Sequence, residues 1–317
     1  MAGTKSTNAF DSYDAVGIRE DLSDVIHDVS PSDTPLYSAC AKTKVRNTFA
    51  EWQTDALRSS ADNFWVEGSE TAAEAATATV RLGNYTQIFK NAVTIPGTDE
   101  GLDKAGRAKE MAYQTLKIAA EQKLDIEKAL FDNQARAQGD SSNGRRLAGL
   151  PSWIVTNVDG AADATAATGN GTDARTDGTA AAFSQTRFDG VMQSIWESGG
   201  KPDTVYLSAY QMNIALGFDG NNNQRSNITA ESEKVIKHMS VYVTPWGTVK
   251  FVPSREQRGS DVFVIQDDMF AVGVLRPTKN EALAKDGDYE KRQVITELTL
   301  ISKNEKASGA VYDCSTS

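Results

Sequence analysis

Residues 98–137 carry a helical periodicity that leaves few folds open to the chain. Thr98 can cap such a helix, and Asp99, Glu100 and Asp103 suit its positively polarised start. The pattern predicts one helix, roughly 50–60 Å long at about 1.5 Å per residue, with a sheet along its apolar side. The apolar positions recur at helical spacing and are Ala108, Met111, Ala112, Thr115, Ile118, Ala119, Ile126, Ala129 and Leu130.

Residues 48–95 predict a long β-hairpin that precedes this helix. Trp52 lies on an alternating outgoing limb, and the returning limb runs over residues 80–95. The connecting segment is mostly Ala, Thr and Glu without periodicity, so we expect it to be mobile. Phe64-Trp65-Val66 interrupts it with three bulky apolar side chains, which need cover from the chain's own body or from a neighbouring subunit.

Two other segments lack a core of their own. Residues 1–47 are polar, predict only a short helix over residues 16–29, and contain prolines that prevent "VSPSDTPLYS" from being continuous helix. Such an arm must lie on its own body or on a neighbour. Residues 159–182 are a low-complexity loop with no large apolar side chain, so they do not form a core.

Residues 183–275 alternate between helix and strand patterns. The spacing of Phe188, Val191, Met192, Ile195 and Trp196 predicts an amphipathic helix, capped by Ser184 and stapled by Phe183 on Phe188. "DTVYLS" predicts a strand, and Ser208 with Gln211 predicts a capping box that opens a second helix. A hairpin around Pro245-Trp246-Gly247 and the strands "DVFVIQ" and "MFAVGVLR" follow.

Residues 288–313 predict two strands that close the chain. Residues 294–301 alternate in character, and a second strand starts at Gly309. Because both come from the far end of the chain, we expect them to supply the sheet that the long helix needs.

Composition argues against several classes of function. With 33 Lys and Arg against 43 Asp and Glu, the net charge is −10, which disfavours a protein that wraps nucleic acid. Cys40 and Cys314 have no metal-type spacing and indicate reduced thiols in an intracellular protein. The polar start predicts no secretory leader, and no apolar run is long enough to span a membrane.

No residue pattern predicts catalysis, a cofactor or a metal site. His27 and His238 have no ligand partners at metal-binding spacing. Gly169 and Gly171 lack the strand and the third glycine of a nucleotide loop. The loop that begins at Asp219 lacks the glycine and the closing glutamate of a calcium loop, so a polar turn is expected.

The order of these segments resembles the Hong Kong 97-type capsid fold of tailed bacteriophages and herpesviruses, an α+β fold. Within it the chain resembles one subfamily of phage major capsid proteins. The segments that carry the resemblance run in order through nearly the whole chain and leave residues 159–182 outside the pattern. They are "SPSDTPLYS", "NTFAEWQTDAL", "GLPSWIVTN", "VYVTPWGTVKFVP", "VFVIQDDMFAVGVLRP" and "ELTLISKNEKASGAV".

The resemblance implies names for the parts and a structural, non-enzymatic role. Residues 1–47 would be the N-terminal arm and 48–95 the E-loop. Residues 96–148 with 276–317 would form the peripheral domain with its spine helix, and 149–275 an α/β axial domain. The chain would assemble in the host cytoplasm as hexamers and pentamers, into an icosahedral virion shell around double-stranded DNA.

The resemblance also implies partners: a portal, and possible scaffolding or decoration proteins. Some members of this fold cross-link through an E-loop lysine, but residues 48–89 contain none, so we expect no such covalent bond. The short arm lacks the long, charged helical pattern of a fused scaffold, so we expect a separate scaffolding protein or none. An encapsulin-like compartment shell and another virion protein stay open as alternatives. We expect Trp52, Phe64 and Trp65 to lie at a subunit interface.

Overall fold

The computed structural model describes residues 33–58, 60–70, 76–102, 104, 109–218 and 241–316. Five α-helices and twelve strands are present within these ranges. In chain order they are α1 (Pro35–Ala39), β1 (Ala41–Lys44), β2 (Phe49–Thr54), β3 (Val80–Tyr85), β4 (Gln87–Pro96), α2 (Gly97–Gly101), α3 (Glu110–Phe131), β5 (Val158–Asp159), α4 (Gln185–Glu197), β6 (Thr204–Leu207), α5 (Ala209–Ala215), β7 (Val241–Thr244), β8 (Gly247–Pro253), β9 (Val262–Ile265), β10 (Phe270–Ala282), β11 (Tyr289–Ser302) and β12 (Gly309–Val311).

The first sheet has the order β1-β10-β11-β4, and α3 packs against β4 and β11. β1 runs parallel to β10, and the other neighbours are antiparallel. Buried hydrogen bonds join helix and sheet: Gln122 Nε2 donates to Val294 O at 3.0 Å, and Thr296 Oγ1 donates to Gln122 Oε1 at 3.1 Å. A sheet therefore lies along the helix, as its periodicity predicts.

The predicted helix over residues 98–137 is wrong in its length. α3 has 22 residues, about 33 Å at 1.5 Å per residue. Thr98 lies inside the separate helix α2, whose N-cap position is Pro96. At the other end the backbone turns extended at Asp132, and the Gln134 side chain caps Ala129 O. Residues 103 and 105–108 lie outside the described ranges.

The second sheet has the order β5-β12-β9-β6-β8-β7. It contains the predicted strand "DTVYLS", the predicted hairpin and the predicted strand "DVFVIQ", whereas "MFAVGVLR" forms β10 of the first sheet. The two predicted helices are present, with Ser184 and Ser208 as N-caps. The Gln211 side chain does not complete a capping box, because its Oε1 accepts no hydrogen bond from the described residues; its Nε2 donates to Gly259 O and Ser315 O.

The end of the chain supplies both sheets, which corrects one expectation. β11 lies beside the long helix as predicted, but β12 pairs with β5 and β9 in the six-stranded sheet. The expected division between residues 275 and 276 falls inside β10. The last 30 residues therefore serve two layers of the fold.

Two hydrophobic clusters match the two sheets. The main cluster lies between α3, the first sheet and a fully buried segment around Trp153. The second lies between α4, α5 and the six-stranded sheet and contains the Phe183–Phe188 contact, with ring centroids 6.4 Å apart.

The low-complexity segment 159–182 is tied down by a buried ion pair. Arg175 forms two hydrogen bonds to the Asp313 carboxylate, at 3.1 and 2.7 Å, and its guanidinium lies 4.2 Å from the Tyr312 ring centroid. Asp313 also accepts the N–H groups of Ala161 and Gly178. The segment has little apolar core of its own, as expected, and polar contacts to the chain end fix it instead.

The predicted hairpin of residues 48–95 is shorter than expected. β2 pairs with β3 in register from Phe49 opposite Tyr85 to Thr54 opposite Val80. The returning limb breaks at Thr86, and β4 leaves the hairpin to pair with β11. The name "E-loop hairpin" is used below for residues 49–85.

No helix in the described part of the chain has the length and apolarity needed to cross a membrane.

Candidate assembly surface

The root of the E-loop hairpin is fixed to the body by two fully buried polar residues, Asn84 and Thr86. The Asn84 side chain donates to Leu300 O at 2.8 Å and accepts from the Ala148 N–H at 2.9 Å. Thr86 Oγ1 donates to the Glu297 carboxylate at 2.8 Å. Because leaving buried polar groups without partners costs free energy, these bonds hold the hairpin in one direction relative to the body.

Glu297 is a buried carboxylate beneath this root. Arg145 Nη2 lies 2.6 Å from its Oε1, and Arg276 Nε lies 2.7 Å from its Oε2. Burial by itself raises the pKa of Glu297, but the hydrogen bonds from Thr86 and the two arginines outweigh it and hold the pKa below its ordinary value. The carboxylate is therefore ionised at neutral pH and ties the hairpin root to β10 and β11.

Trp52 lies on the body side of the E-loop hairpin. Its ring packs against fully buried Trp153, with the centroids 5.3 Å apart. Its indole N–H is buried and has no acceptor within the described ranges. The contact seen here is intramolecular and clamps the hairpin to the body, so an interface role for Trp52 stays a prediction.

Phe64, Trp65 and Val66 lie on the far part of the E-loop hairpin without cover. Their exposed fractions are 85%, 60% and 80%, and Leu57 on the outgoing limb is 99% exposed. The Trp65 indole N–H donates to Asn63 Oδ1 at 2.6 Å, which leaves the ring faces open. The described part of the body does not cover these side chains, so their burial requires a surface outside it.

A solvent-open cleft of about 460 Å³ separates the hairpin base from the body. Leu82 and Trp153 form apolar parts of its wall. Ser302 also lines it, and its buried hydroxyl has no hydrogen-bond partner in the described part of the chain. The open, mixed lining suits a protein contact better than an enclosed ligand site.

The described part of the arm, residues 33–44, lies on the body of its own chain. Leu36 is fully buried in the main cluster, and β1 adds a parallel strand to β10. Glu127 on α3 accepts the N–H groups of Leu36 and Tyr37 at 2.9 and 2.7 Å. The helical pattern gave no signal for this contact, because its partners lie 91 and 90 residues apart in the sequence.

The residues considered as metal or nucleotide ligands are divided between the described and the undescribed parts of the chain. His27, His238 and the loop that begins at Asp219 lie outside the described residues. Gly169 and Gly171 adopt φ of 75° and 78° in a turn against Trp153. Among the described residues, no group of three His, Cys, Asp or Glu side chains is placed to hold a metal ion.

Cys40 and Cys314 are both free and buried. Burial raises the pKa of each thiol to about 12, so neither is a thiolate at neutral pH. The two thiols therefore contribute packing and no reactive group.

Comparison with known proteins decides the family. A model of the family described as SU10 major capsid protein matches residues 3–315. The chain belongs to this family. The major capsid protein of Escherichia phage Phieco32 is 28% identical over an alignment of 339 residues, gaps included, that covers 96% of each sequence. As a member of the SU10 major capsid protein family, the chain is a structural subunit of a phage capsid and a virion component.

Solved structures share the fold of this SU10 family member. A chain of the cyanophage A-1(L) capsid asymmetric unit superposes with a TM-score of 0.68 at 11% identity, covering 97% of this chain and 99% of that one. The SrpI encapsulin of Synechococcus elongatus PCC 7942 superposes with a TM-score of 0.54 at 9% identity, covering 92% and 94%. The encapsulin likeness concerns the fold alone, and the family match favours a phage capsid over the encapsulin alternative.

Proposed function

We propose that the chain assembles as hexamers and pentamers into an icosahedral phage head that encloses double-stranded DNA. The observation that carries the proposal is an exposed apolar tip, Phe64-Trp65-Val66, on a hairpin with a rigidly bonded root, in a member of a capsid family. A fixed root lets the tip reach a neighbour in one geometry. Repeated contacts between copies can close a shell without strong pairwise affinity.

The parts of this proposal follow the layers of the fold. The N-terminal arm ends before β2, and the E-loop comprises the hairpin of residues 49–85. The peripheral domain comprises α3 with the four-stranded sheet. The axial domain comprises α4, α5 and the six-stranded sheet, with β12 joining it from the end of the chain.

Phe64 and Trp65 are the proposed interface residues, and Trp52 supports them by fixing the hairpin. Together Phe64 and Trp65 expose on the order of 250 Å² of side chain. Burying that area in a neighbour contributes at most about 6 kcal/mol per contact at ~25 cal/mol per Å², before the entropy cost of association and side-chain ordering is subtracted. Repeated around a ring, this term is large enough to decide between assembly and free subunits.

The remaining partners follow from the same role. We infer a portal as a partner, with scaffolding and decoration proteins as further candidates, and assembly in the host cytoplasm. The net charge of −10 disfavours tight or sequence-specific DNA binding, which suits a shell that encloses DNA. The chain is inferred to act as a container and not as an enzyme.

The test is assembly of the Phe64→Ser, Trp65→Ser double variant, followed by sedimentation and negative-stain electron microscopy. We expect folded subunits with an unchanged circular dichroism spectrum and no shells. The matched control is Phe64→Leu, Trp65→Phe, which keeps apolar side chains on the tip and should assemble. Normal shells from the double serine variant would show that Phe64 and Trp65 are not needed at the interface.

A further inference from the structure

Glu127 joins two parts of the chain that the sequence keeps far apart. It lies in the last turns of α3, and none of its surface is exposed. Its two carboxylate oxygens each accept one backbone N–H, from Leu36 and from Tyr37. These N–H groups belong to the first turn of α1, where the helix itself supplies no acceptor.

At the other end of this segment β1 pairs with β10, and the Lys42 side chain bonds within the segment. Lys42 Nζ donates to Cys40 O at 3.0 Å and to Tyr37 O, and it lies 4.0 Å from the Tyr37 ring centroid. Glu127 is thus the buried side chain that reaches from α3 to the first turn of α1. We propose that Glu127 is a proton-linked latch, which holds residues 33–44 on the body more tightly in acid than above neutral pH.

The charges around the latch set its response to pH. The groups that act on Glu127 or on its neighbour Cys40 are Lys42, Tyr206, Glu256, Asp267 and Lys303. Burial raises the pKa of Glu127 to about 7. The N–H groups of Tyr37 and Leu36 and the charge of Lys42 oppose this rise, and the charge of Glu256 adds to it.

The direction of the effect follows from the two states of the arm. When the arm lifts away, water reaches Glu127 and its pKa returns to the ordinary glutamate value of about 4.3. The docked state therefore binds the proton more tightly, so protonation favours docking. The added affinity is complete below about pH 4.3 and is lost as the pH rises through about 7. The full span amounts to a change of roughly five hundredfold in the docking equilibrium, of which about a hundredfold falls between pH 5 and pH 8.5.

Hydrogen exchange of the full-length protein between pH 5 and pH 8.5 tests the latch, with rates corrected for intrinsic exchange. We expect the protection of the Leu36 and Tyr37 amides to fall about a hundredfold across this range. The Glu127→Gln variant copies the neutral carboxyl, with one acceptor oxygen. It should keep these amides protected and abolish their pH dependence.

Glu305→Gln is the matched control. Glu305 accepts the N–H groups of Val155 and Thr156 in a similar pairing but does not touch the arm, so its variant should keep the wild-type profile. Amides of β11 report whether each variant is folded. A flat wild-type profile, a wild-type slope in Glu127→Gln, or loss of arm protection at every pH in that folded variant would each overturn the latch.

Discussion

Arg175→Met removes the cation that fixes the low-complexity segment and keeps most of the side-chain length. In the wild type, Arg175 and Asp313 are 5% and 2% exposed, and they share two hydrogen bonds. Asp177 receives a third bond from the guanidinium. The variant leaves Asp313 buried, with the N–H groups of Ala161 and Gly178 as its remaining partners.

Breaking a buried pair from one side costs about 3–5 kcal/mol, because the other charge stays buried without compensation. In a chain of 317 residues, that loss lowers the melting temperature by roughly 5–8 °C. Burial raises the pKa of Asp313, but Arg175 and the two N–H groups outweigh it and hold the pKa below its ordinary value. Without Arg175 the pKa of Asp313 rises, so the stability loss should be largest near neutral pH and shrink in acid.

Urea and thermal unfolding of Arg175→Met, Asp313→Asn and the double variant would measure this pair as a mutant cycle. We expect the double variant to lose less than the sum of the single variants by at least about 1.5 kcal/mol. Arg81→Met breaks the exposed pair with Glu51 and should change little. A loss below about 1 kcal/mol in Arg175→Met, or strict additivity, would refute the view that the ion pair holds the segment.

Three further predictions concern the helix end, the hairpin root and the shell. Gly149→Ala should destabilise the subunit by about 3 kcal/mol in urea unfolding, because the new Cβ would lie 2.0 Å from Asp132 O. Gly144→Ala is the control, since a Cβ at that position has no atom within contact distance. The stability that Glu297 contributes is present above about pH 4.3 and lost as the pH falls through its lowered pKa. Glu297→Gln should therefore flatten the acid limb of the stability profile, and an unchanged limb would contradict this assignment. Boiled particles should run on a denaturing gel as a single band, because residues 48–89 contain no lysine; a ladder of covalent oligomers would contradict this.

Local patterns predicted the α/β region well. The α4 helix, its Ser184 cap and the Phe183–Phe188 contact depend on residues close together in sequence. The same holds for the hairpin of β7 and β8, whose turn residues stand between two alternating runs. In such segments the local preference and the tertiary environment agree.

Patterns failed where a distant partner decides the structure. The alternation of residues 80–95 continues across Thr86, so it could not reveal that β3 pairs with β2 while β4 pairs with β11. The predicted helix likewise continued past Phe131. The observed helix ends there, and Gly149 packs closely on Asp132 just beyond its end.

The buried polar contacts were invisible for the same reason. Glu127 looks like an ordinary charged helix residue, and Arg175 stands in a segment of small residues. The bonds of Glu127 to the arm and of Arg175 to Asp313 have no local mark in the sequence, because the partners come from opposite ends of the chain. Among the interface candidates, Phe64 and Trp65 are exposed and their interface role stays a prediction, while the intramolecular contact of Trp52 was not foreseen.

The position of β11 and β12 has a consequence for how a subunit is made. β11 lies between β10 and β4, and β12 lies between β5 and β9, so both sheets have an interior strand from the end of the chain. While the ribosome is still translating residues 289–311, each sheet keeps an open slot between strands that are already synthesised. Translation itself therefore delays the finished fold, and a truncated product cannot become a complete building block.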